Sequence, residues 1–278
     1  MKILVTGANG QLGSDVVAEL YRRDIQHKGV DICDFDITDE KDTFIYINSC
    51  KPTAVIHCAA YTSVDKAEDE SELCCKINVE GTCNIANVCK KINAALMYIS
   101  SDYVFSGEGE HFHKPQDTTF PVSVYGKSKL AGEQAVQRIM TKYFIVRTSW
   151  VFGKNGGNFV ETILRLGKKQ SSINVVADQI GSPTYTMDLA SLLCDMINTD
   201  RYGIYHATNE GVCSWAEFAR EIFTVYGVKV KVEDIPSLQY PTKVIRPLNS
   251  RLDKSCLDSS GFCRLPSWTD ALQRYRSL

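Results

Sequence analysis

Short apolar runs alternate with longer amphipathic segments through the first half of the chain. KILVT (2–6), TAVIHC (53–58), AALMYI (94–99) and YFIVR (143–147) are each of strand length and bounded by polar or turn residues. Between them, residues 11–23, 71–92 and 125–141 repeat an apolar position every three to four residues, the period of a helix with one buried face. A less clearly signalled strand is placed near 25–31. Strand–helix–strand alternation of this kind builds a parallel sheet with helices on both faces. The expected fold class is α/β, a Rossmann-type doubly wound parallel sheet.

After about residue 150 the alternation loosens. Gly153, Gly156 and Gly157 mark a loop, followed by a helix over 158–169, a strand over 173–176 and a helix over 186–198. GIYHAT (203–208) reads as a strand and SWAEFAREIFTVYG (214–227) as a helix capped by Ser214. The segment 234–250, with Pro236, Pro241 and Pro247, reads as extended. There is no internal repeat, low-complexity tract or flexible linker, so the second half should pack directly on the first. Residues 1–150 are expected to form a nicotinamide-dinucleotide-binding domain. Residues 151–278 should form a smaller, mainly substrate-binding C-terminal domain, with segments returning to the first.

Composition removes several function classes. The 278 residues are 44% apolar and 23% charged, ordinary for a globular protein. Net charge is −2, from 31 basic and 33 acidic residues, with no basic block, so neither nucleic acid nor an anionic membrane is expected as a partner. The apolar run of MKILVTGANG stops at Thr6, too short for an export signal, and no stretch of about 18 apolar residues would span a bilayer. Eleven cysteines, an odd count with no C-x-x-C spacing, fit reduced thiols in a cytoplasm better than disulfides or zinc ligands. Asp65, Glu68, Asp69, Glu70 and Glu72 cluster at a helix start, where they complement its dipole. No metal site is expected.

Chemistry enters at TGANGQLG (6–13), between the first strand and the first helix. Gly7 permits a tight turn, Gly10 lets a pyrophosphate approach the backbone, and Gly13 lets helix and strand lie close. The helix N-terminus adds amide donors and positive dipole for the phosphates. Asp31, 18 residues after Gly13, is placed to bind adenosine ribose hydroxyls and to repel a 2′-phosphate, and no Arg or Lys lies between Asp31 and Asp36. The expected cofactor is therefore NADH in preference to NADPH. Asp36 and Ile37 would lie beside the adenine. Ala59 and Ala60 fit either the pyrophosphate and nicotinamide ribose or plain core packing. His57, ending an apolar strand, reads as a core histidine.

VYGKSK (124–129) puts Tyr125 and Lys129 four apart, hence on one helix face. An ammonium about 4 Å from a phenol, in an effective dielectric near 20, would favour phenolate by up to about 4 kcal/mol, some three pKa units. Such a tyrosine could exchange a proton near neutrality, and Lys129 could also hold the nicotinamide ribose. Ser101, after the strand ending at Ile99, would hydrogen-bond the reacting carbonyl or Tyr125.

TGxxGxxG, a Ser/Thr and YxxxK together resemble the extended short-chain dehydrogenase/reductase superfamily. The resemblance narrows along almost the entire chain: TGANGQLG, DITD (36–39), HCAAYTSVDKAE (57–68), INVEGTCNIA (77–86), SSDYVFSG (100–107), YGKSKLAGE (125–133), RTSWVFG (147–153), GNFV (157–160), DQIGSPT (178–184) and RPLNSRLD (246–253) resemble the dTDP-4-dehydrorhamnose reductase family. That resemblance implies NAD(P)H-dependent reduction of the C4 ketone of dTDP-4-dehydro-L-rhamnose, for cell-surface polysaccharide, by a monomer or homodimer. It implies that Tyr125 donates the proton with Lys129 in support, and that Ser101 and Asp102 contact the sugar while Trp150 lines its pocket. Gly10, Gln11, Leu12, Asp31, Asp36, Ile37, Ala60, Tyr61 and Thr62 would contact the cofactor. The family usually has Thr where this chain has Ser101; the hydroxyl is kept, without the methyl that fixes its rotamer.

Some of these residues have equally good structural readings. Trp150 offers a flat face to a sugar or simply fills a core. Asn158 and Gln179 can hydrogen-bond substrate or cap and bridge loops, and Arg246 fits either a diphosphate or an ion pair. Two other functions compete with a reductase. One is a non-catalytic subunit like the β subunit of methionine adenosyltransferase, against which the intact Ser101, Tyr125 and Lys129 argue. The other is a related epimerase or 4,6-dehydratase; Asp102-Tyr103 after Ser101 is not a dehydratase's acidic pair.

Overall fold

A computed structural model describes residues 2–240 and 242–277; Pro241, within the segment read as extended, lies outside them. Five strands open the main sheet: β1 (Ile3–Thr6), β2 (His27–Val30), β3 (Ala54–His57), β4 (Ala95–Ser101) and β5 (Tyr143–Thr148). A strand from the second half, Gly203–His206, completes it beside β5. The order runs from that strand through β5, β4, β3 and β1 to β2, and every pairing is parallel. The order reverses at β1, which lies between β2 and β3, and ligands of such sheets bind at the strands' carboxyl ends where the order switches.

The strands are apolar at successive positions because both faces are covered. Ile3, Val5, Ile56, Met97, Phe144 and Val146 face one core, shared with Leu12, Val16 and Leu20 of α1 (Gln11–Arg22) and Leu189 and Leu193 of the helix Thr186–Ile197. Leu4, Val55, Leu96, Tyr98 and Ile145 face the other core. There they meet Ile47 of α2 (Glu40–Cys50) and, from later helices, Ile85 and Val136. Burying each such side chain contributes about 1.5–3 kcal/mol. The second half thus returns to the sheet three times, through a strand, a covering helix and the stretch carrying Leu257, Phe262 and Leu265. The rest of it forms a separate apolar cluster from Phe152 and Val160 through Phe218 and Ile222 to Leu272.

A short helix, α3 (Val64–Ala67), precedes the helix read over 71–92, which begins as α4 (Ser71–Cys75) and ends as α5 (Thr82–Lys91), with a π-helical stretch, Lys76–Gly81, between them. The widened turn lets the buried Asn78 work sideways. Its amide accepts from Tyr61 N (2.8 Å) and donates to Tyr61 O (3.1 Å) and to Ser128 Oγ (2.9 Å). It thereby ties the loop after β3 to α6 (Val124–Ile139), which carries Tyr125 and Lys129. Such stretches concentrate at functional sites. Helix α2, the strand Lys231–Ile235 and the helices Ser255–Ser259 and Trp268–Arg276 carry no clear signal in the sequence pattern. No helix is long and apolar enough to cross a membrane among the described residues.

Candidate active site

A cleft of about 990 Å³ opens over the carboxyl ends of β1, β3, β4 and β5. One end is the glycine loop. Gly7 has φ +68°, and a Cβ there would lie 2.6 Å from Ala59 N; on Gly13 it would lie 2.0 Å from Gly7 O. Both positions therefore require glycine. Helix α1 starts at Gly10 with no side chain capping it and no acidic residue in its first turn, which leaves its amide dipoles facing the cleft for an anion. Asp31 follows β2 and accepts from Asn9 N (2.9 Å) and Ile32 N (2.8 Å), so its carboxylate is fixed against the loop. Asn155 Nδ2 donates to Ser14 Oγ (2.8 Å) and Gln11 Nε2 to Gly157 O (3.3 Å), drawing the glycine-rich loop 153–157 across the mouth of α1.

Gly7, Gly10, Gln11, Leu12, Asp31, Asp36, Ile37, Ala60, Thr62, Ser101, Asp102, Tyr125, Lys129 and Trp150 all line this one cleft. Tyr61, Asn158 and Gln179 do not. The Tyr61 hydroxyl donates to Glu70 (2.7 Å). Asn158 caps the helix Phe159–Gly167, accepting from Glu161 N (3.0 Å). Gln179 accepts from Trp215 Nε1 (3.2 Å) and donates to Ser237 Oγ (3.0 Å). These side chains serve as caps and bridges here, and Gln179 acts one step away by holding Trp215. That ring stacks on Trp150 at 3.6 Å between centroids and 13° between planes. Trp150 itself has φ +49°, a left-handed backbone that costs a non-glycine residue roughly 1–2 kcal/mol. Strain of this kind concentrates at functional sites.

The chemical centre lies where β4 meets α6. Tyr125 and Lys129 are both buried. Their electrostatics correct the sequence expectation. Burial pushes the Tyr125 phenol well above its ordinary range, the charge of Asp102 pushes it further, and the hydrogen bond with Ser101 opposes both. Lys129 is not among the main influences on it; its ammonium sits 4.1 Å from the centroid of the Tyr98 ring. Burial also pulls Lys129 down to about 7, against the charge of Glu133. The sequence argument assumed a solvent-like lysine beside the phenol; desolvation outweighs that attraction. Tyr125 therefore holds its proton at neutral pH, the form a general acid needs.

Sequence reasoning missed the partner of Asp102. Ser250, in the strand Asn249–Ser250, donates to Asp102 Oδ2 at 2.5 Å, while Ser101 Oγ donates to Asp102 Oδ1 at 2.8 Å. RPLNSRLD was visible as a motif, but nothing local shows that it crosses 148 positions to Asp102. Burial pushes Asp102 up to about 6, against hydrogen bonds from Ser250 and Ser101. Arg246 of the same motif pairs with Asp65 at 2.6 Å and Lys243 with Asp69 at 2.5 Å, so part of the acidic cluster anchors this segment. His57 is a core residue between Thr6 Oγ1 (2.7 Å) and Thr82 Oγ1 (3.2 Å), kept neutral by burial, with its pKa pulled down to about 3.

Residues 1–277 match the RmlD substrate binding domain family. A dTDP-4-dehydrorhamnose reductase of Aggregatibacter actinomycetemcomitans is 39% identical over 99% of this chain and 98% of the relative. The spore coat polysaccharide biosynthesis protein SpsK of Bacillus subtilis is 37% identical over 99% and 96%. Among solved structures, a dTDP-4-dehydrorhamnose reductase of Bacillus anthracis in complex with NADP superposes with a TM-score of 0.97, at 42% identity over 99% of this chain and 98% of that one.

Proposed function

The chain belongs to the RmlD substrate binding domain family and is an oxidoreductase using a nicotinamide cofactor, and we propose that its reaction is the reduction of the C4 ketone of dTDP-4-dehydro-L-rhamnose to dTDP-L-rhamnose. The product would feed synthesis of cell-surface polysaccharide. The observation that carries this reading is a single cleft in which the glycine loop at one end and Ser101, Tyr125 and Lys129 at the other share a wall. The uncapped first turn of α1 and the obligatory glycines fit a dinucleotide.

In this reading the cofactor supplies hydride to the sugar C4, and this chain's own residues do the rest. Gly10, Gln11 and Leu12 hold the pyrophosphate through the amides at the start of α1. Asp31 and Asp36 hold the adenosine end. Tyr125 delivers its phenolic proton to the ketone oxygen as negative charge builds there, a contribution of roughly 10²–10⁴-fold. Ser101 lines the same cleft as Tyr125, donates to Asp102 at 2.8 Å, and positions the ketone. Lys129, half-charged near neutrality, holds ribose hydroxyls. Trp150, braced by Trp215, offers an apolar face to the hexose ring. Residues 151–278 contribute most of the substrate side.

NADH is the preferred reductant in this proposal, because Asp31 would face a 2′-phosphate and no Arg or Lys stands between it and Asp36. The site of action is the cytoplasm, consistent with eleven free thiols. The decisive assay follows NADH and NADPH oxidation with dTDP-, GDP- and UDP-linked 4-keto-6-deoxy sugars, with product stereochemistry read by NMR. Turnover with the dTDP-linked rhamnose precursor above the others supports the reading. No oxidation of either cofactor with any of them would leave a non-catalytic binding role instead.

A further inference from the structure

We propose that His111, His113 and Asp117 form a divalent transition-metal site, outside the cleft, that cross-links the loop carrying them, which packs against the strand carrying Ser250. Their donor atoms all lie within 4.8 Å of one another. The arrangement follows from the backbone. His113 pairs with Leu252 in a short parallel bridge, its N–H donating to Arg251 O (2.9 Å) and its carbonyl accepting from Asp253 N (2.8 Å). Along extended chain, positions two apart share a face, so His111 and His113 project together, with ring centroids 4.7 Å apart. A turn then brings Asp117 back: Lys114 N donates to its Oδ2 (2.8 Å), and that oxygen lies 3.9 Å from His111 Nε2.

One ligand is already fixed. His113 is 5% exposed, stacked on Phe105 at 4.3 Å and 5°, and burial favours its neutral, ligating form. His111, by contrast, is 63% exposed at its side chain and free to close. Metal–donor distances of about 2.0–2.2 Å place donors about 3.5 Å apart around a tetrahedral ion. The exposed ring therefore needs to move by about an ångström. Two imidazoles and one carboxylate suit Zn²⁺, Co²⁺ or Ni²⁺, with water completing the shell. The consequence reaches the cleft through backbone. Asn249 Nδ2 donates to His111 O (2.8 Å), and the next residue, Ser250, holds Asp102. A bound ion would stiffen the loop against which that strand rests.

The test uses the full-length protein after chelator treatment, titrated with Co²⁺ and then Zn²⁺. One equivalent of Co²⁺ should give ligand-field absorption without the near-ultraviolet band of cobalt–thiolate bonding, and Zn²⁺ should displace it. Saturating Zn²⁺ should raise Tm by roughly 5 °C. His111→Ala and Asp117→Asn, both at accessible positions, should abolish binding and the Tm gain while keeping the metal-free Tm. Replacing the exposed Cys33, Cys75 and Cys263 with Ser should change neither. The proposal is overturned if one equivalent fails to bind, if binding survives His111→Ala and Asp117→Asn, or if it disappears with the three thiols.

Discussion

Ser250→Ala should shift the pH dependence of turnover without touching substrate, cofactor or the phenol. Asp102 is 3% exposed, and its carboxylate survives near neutrality because Ser250 and Ser101 donate to it. A hydrogen bond to a charged group is worth about 1.5–3 kcal/mol, and 1.36 kcal/mol is one pKa unit. Removing the Ser250 donor destabilises the charged form alone, so the pKa must rise, by about one to two units from its value of about 6. The limb of kcat that reports Asp102 should therefore move to between about 7 and 8.

The direction of that limb also follows from the geometry. Ionised Asp102 takes the single Ser101 hydroxyl hydrogen at 2.8 Å, so Ser101 has none to offer the ketone oxygen, and the carboxylate charge opposes the charge developing there. Turnover should fall as pH rises through the limb, by roughly 10–100-fold, near the lower part of what one lost oxyanion donor costs. Lys129, pulled to about 7, titrates in the same window, but burial and the charge of Glu133 act on it, so its limb should stay in place. The Tyr103 phenol beside Asp102 is pushed by burial to about 12 and stays neutral throughout. The assay is kcat at saturating NADH and sugar nucleotide from pH 5 to 9, native against Ser250→Ala. A profile that does not move, or moves downward, refutes the Ser250–Asp102–Ser101 relay.

Tyr125→Phe keeps the ring but removes the proton, so kcat should fall roughly 10²–10⁴-fold while the Kd for NADH, measured by fluorescence quenching, stays nearly unchanged. Asp31→Ala should narrow the ratio of kcat/KM for NADH over NADPH by relieving repulsion of the 2′-phosphate; a native preference for NADPH would overturn the reading of this carboxylate. Glu133→Gln should leave Arg147, 3% exposed, without its countercharge at 2.7 Å, and lower unfolding free energy in urea by about 3–5 kcal/mol.

The sequence was most legible where chemistry is local. The glycine loop needs backbone freedom at Gly7 and Gly13, and the structure shows atoms 2.6 Å and 2.0 Å from where their side chains would start. Most strands of the main sheet were readable because burial on both faces makes them apolar at successive positions; β2, HKGV with only Val30 buried, was the poorly signalled one for the same reason. Helix α2 escaped notice because EKDTFIYINSC spreads its apolar residues around the axis, and only Thr43, Ile47 and Cys50 are buried. The Ser214 cap, by contrast, was readable from its own neighbours, and it completes a capping box with Glu217.

What the sequence could not carry was the environment of a charge. Spacing puts Tyr125 and Lys129 on one helix face, but whether an ammonium lowers a phenol's pKa depends on what else surrounds both. Tyr98, on β4, takes the ammonium against its ring face, and the same burial that positions Lys129 removes much of its charge near neutrality. Asp102 tells the same story with opposite sign: beside Ser101 in sequence it looks like a sugar ligand, yet its protonation is set by burial, opposed by a hydrogen bond from Ser250, far along the chain. Residue identity names the candidates for proton transfer. Desolvation and long-range hydrogen bonds decide which of them titrates, and in this cleft that places Asp102 and Lys129 near neutrality with Tyr125 far above it. In the proposed mechanism the group that delivers the proton is then not the group that sets the pH dependence, and for that reason Ser250→Ala and Tyr125→Phe should separate: the first moves the profile, the second lowers it without moving it.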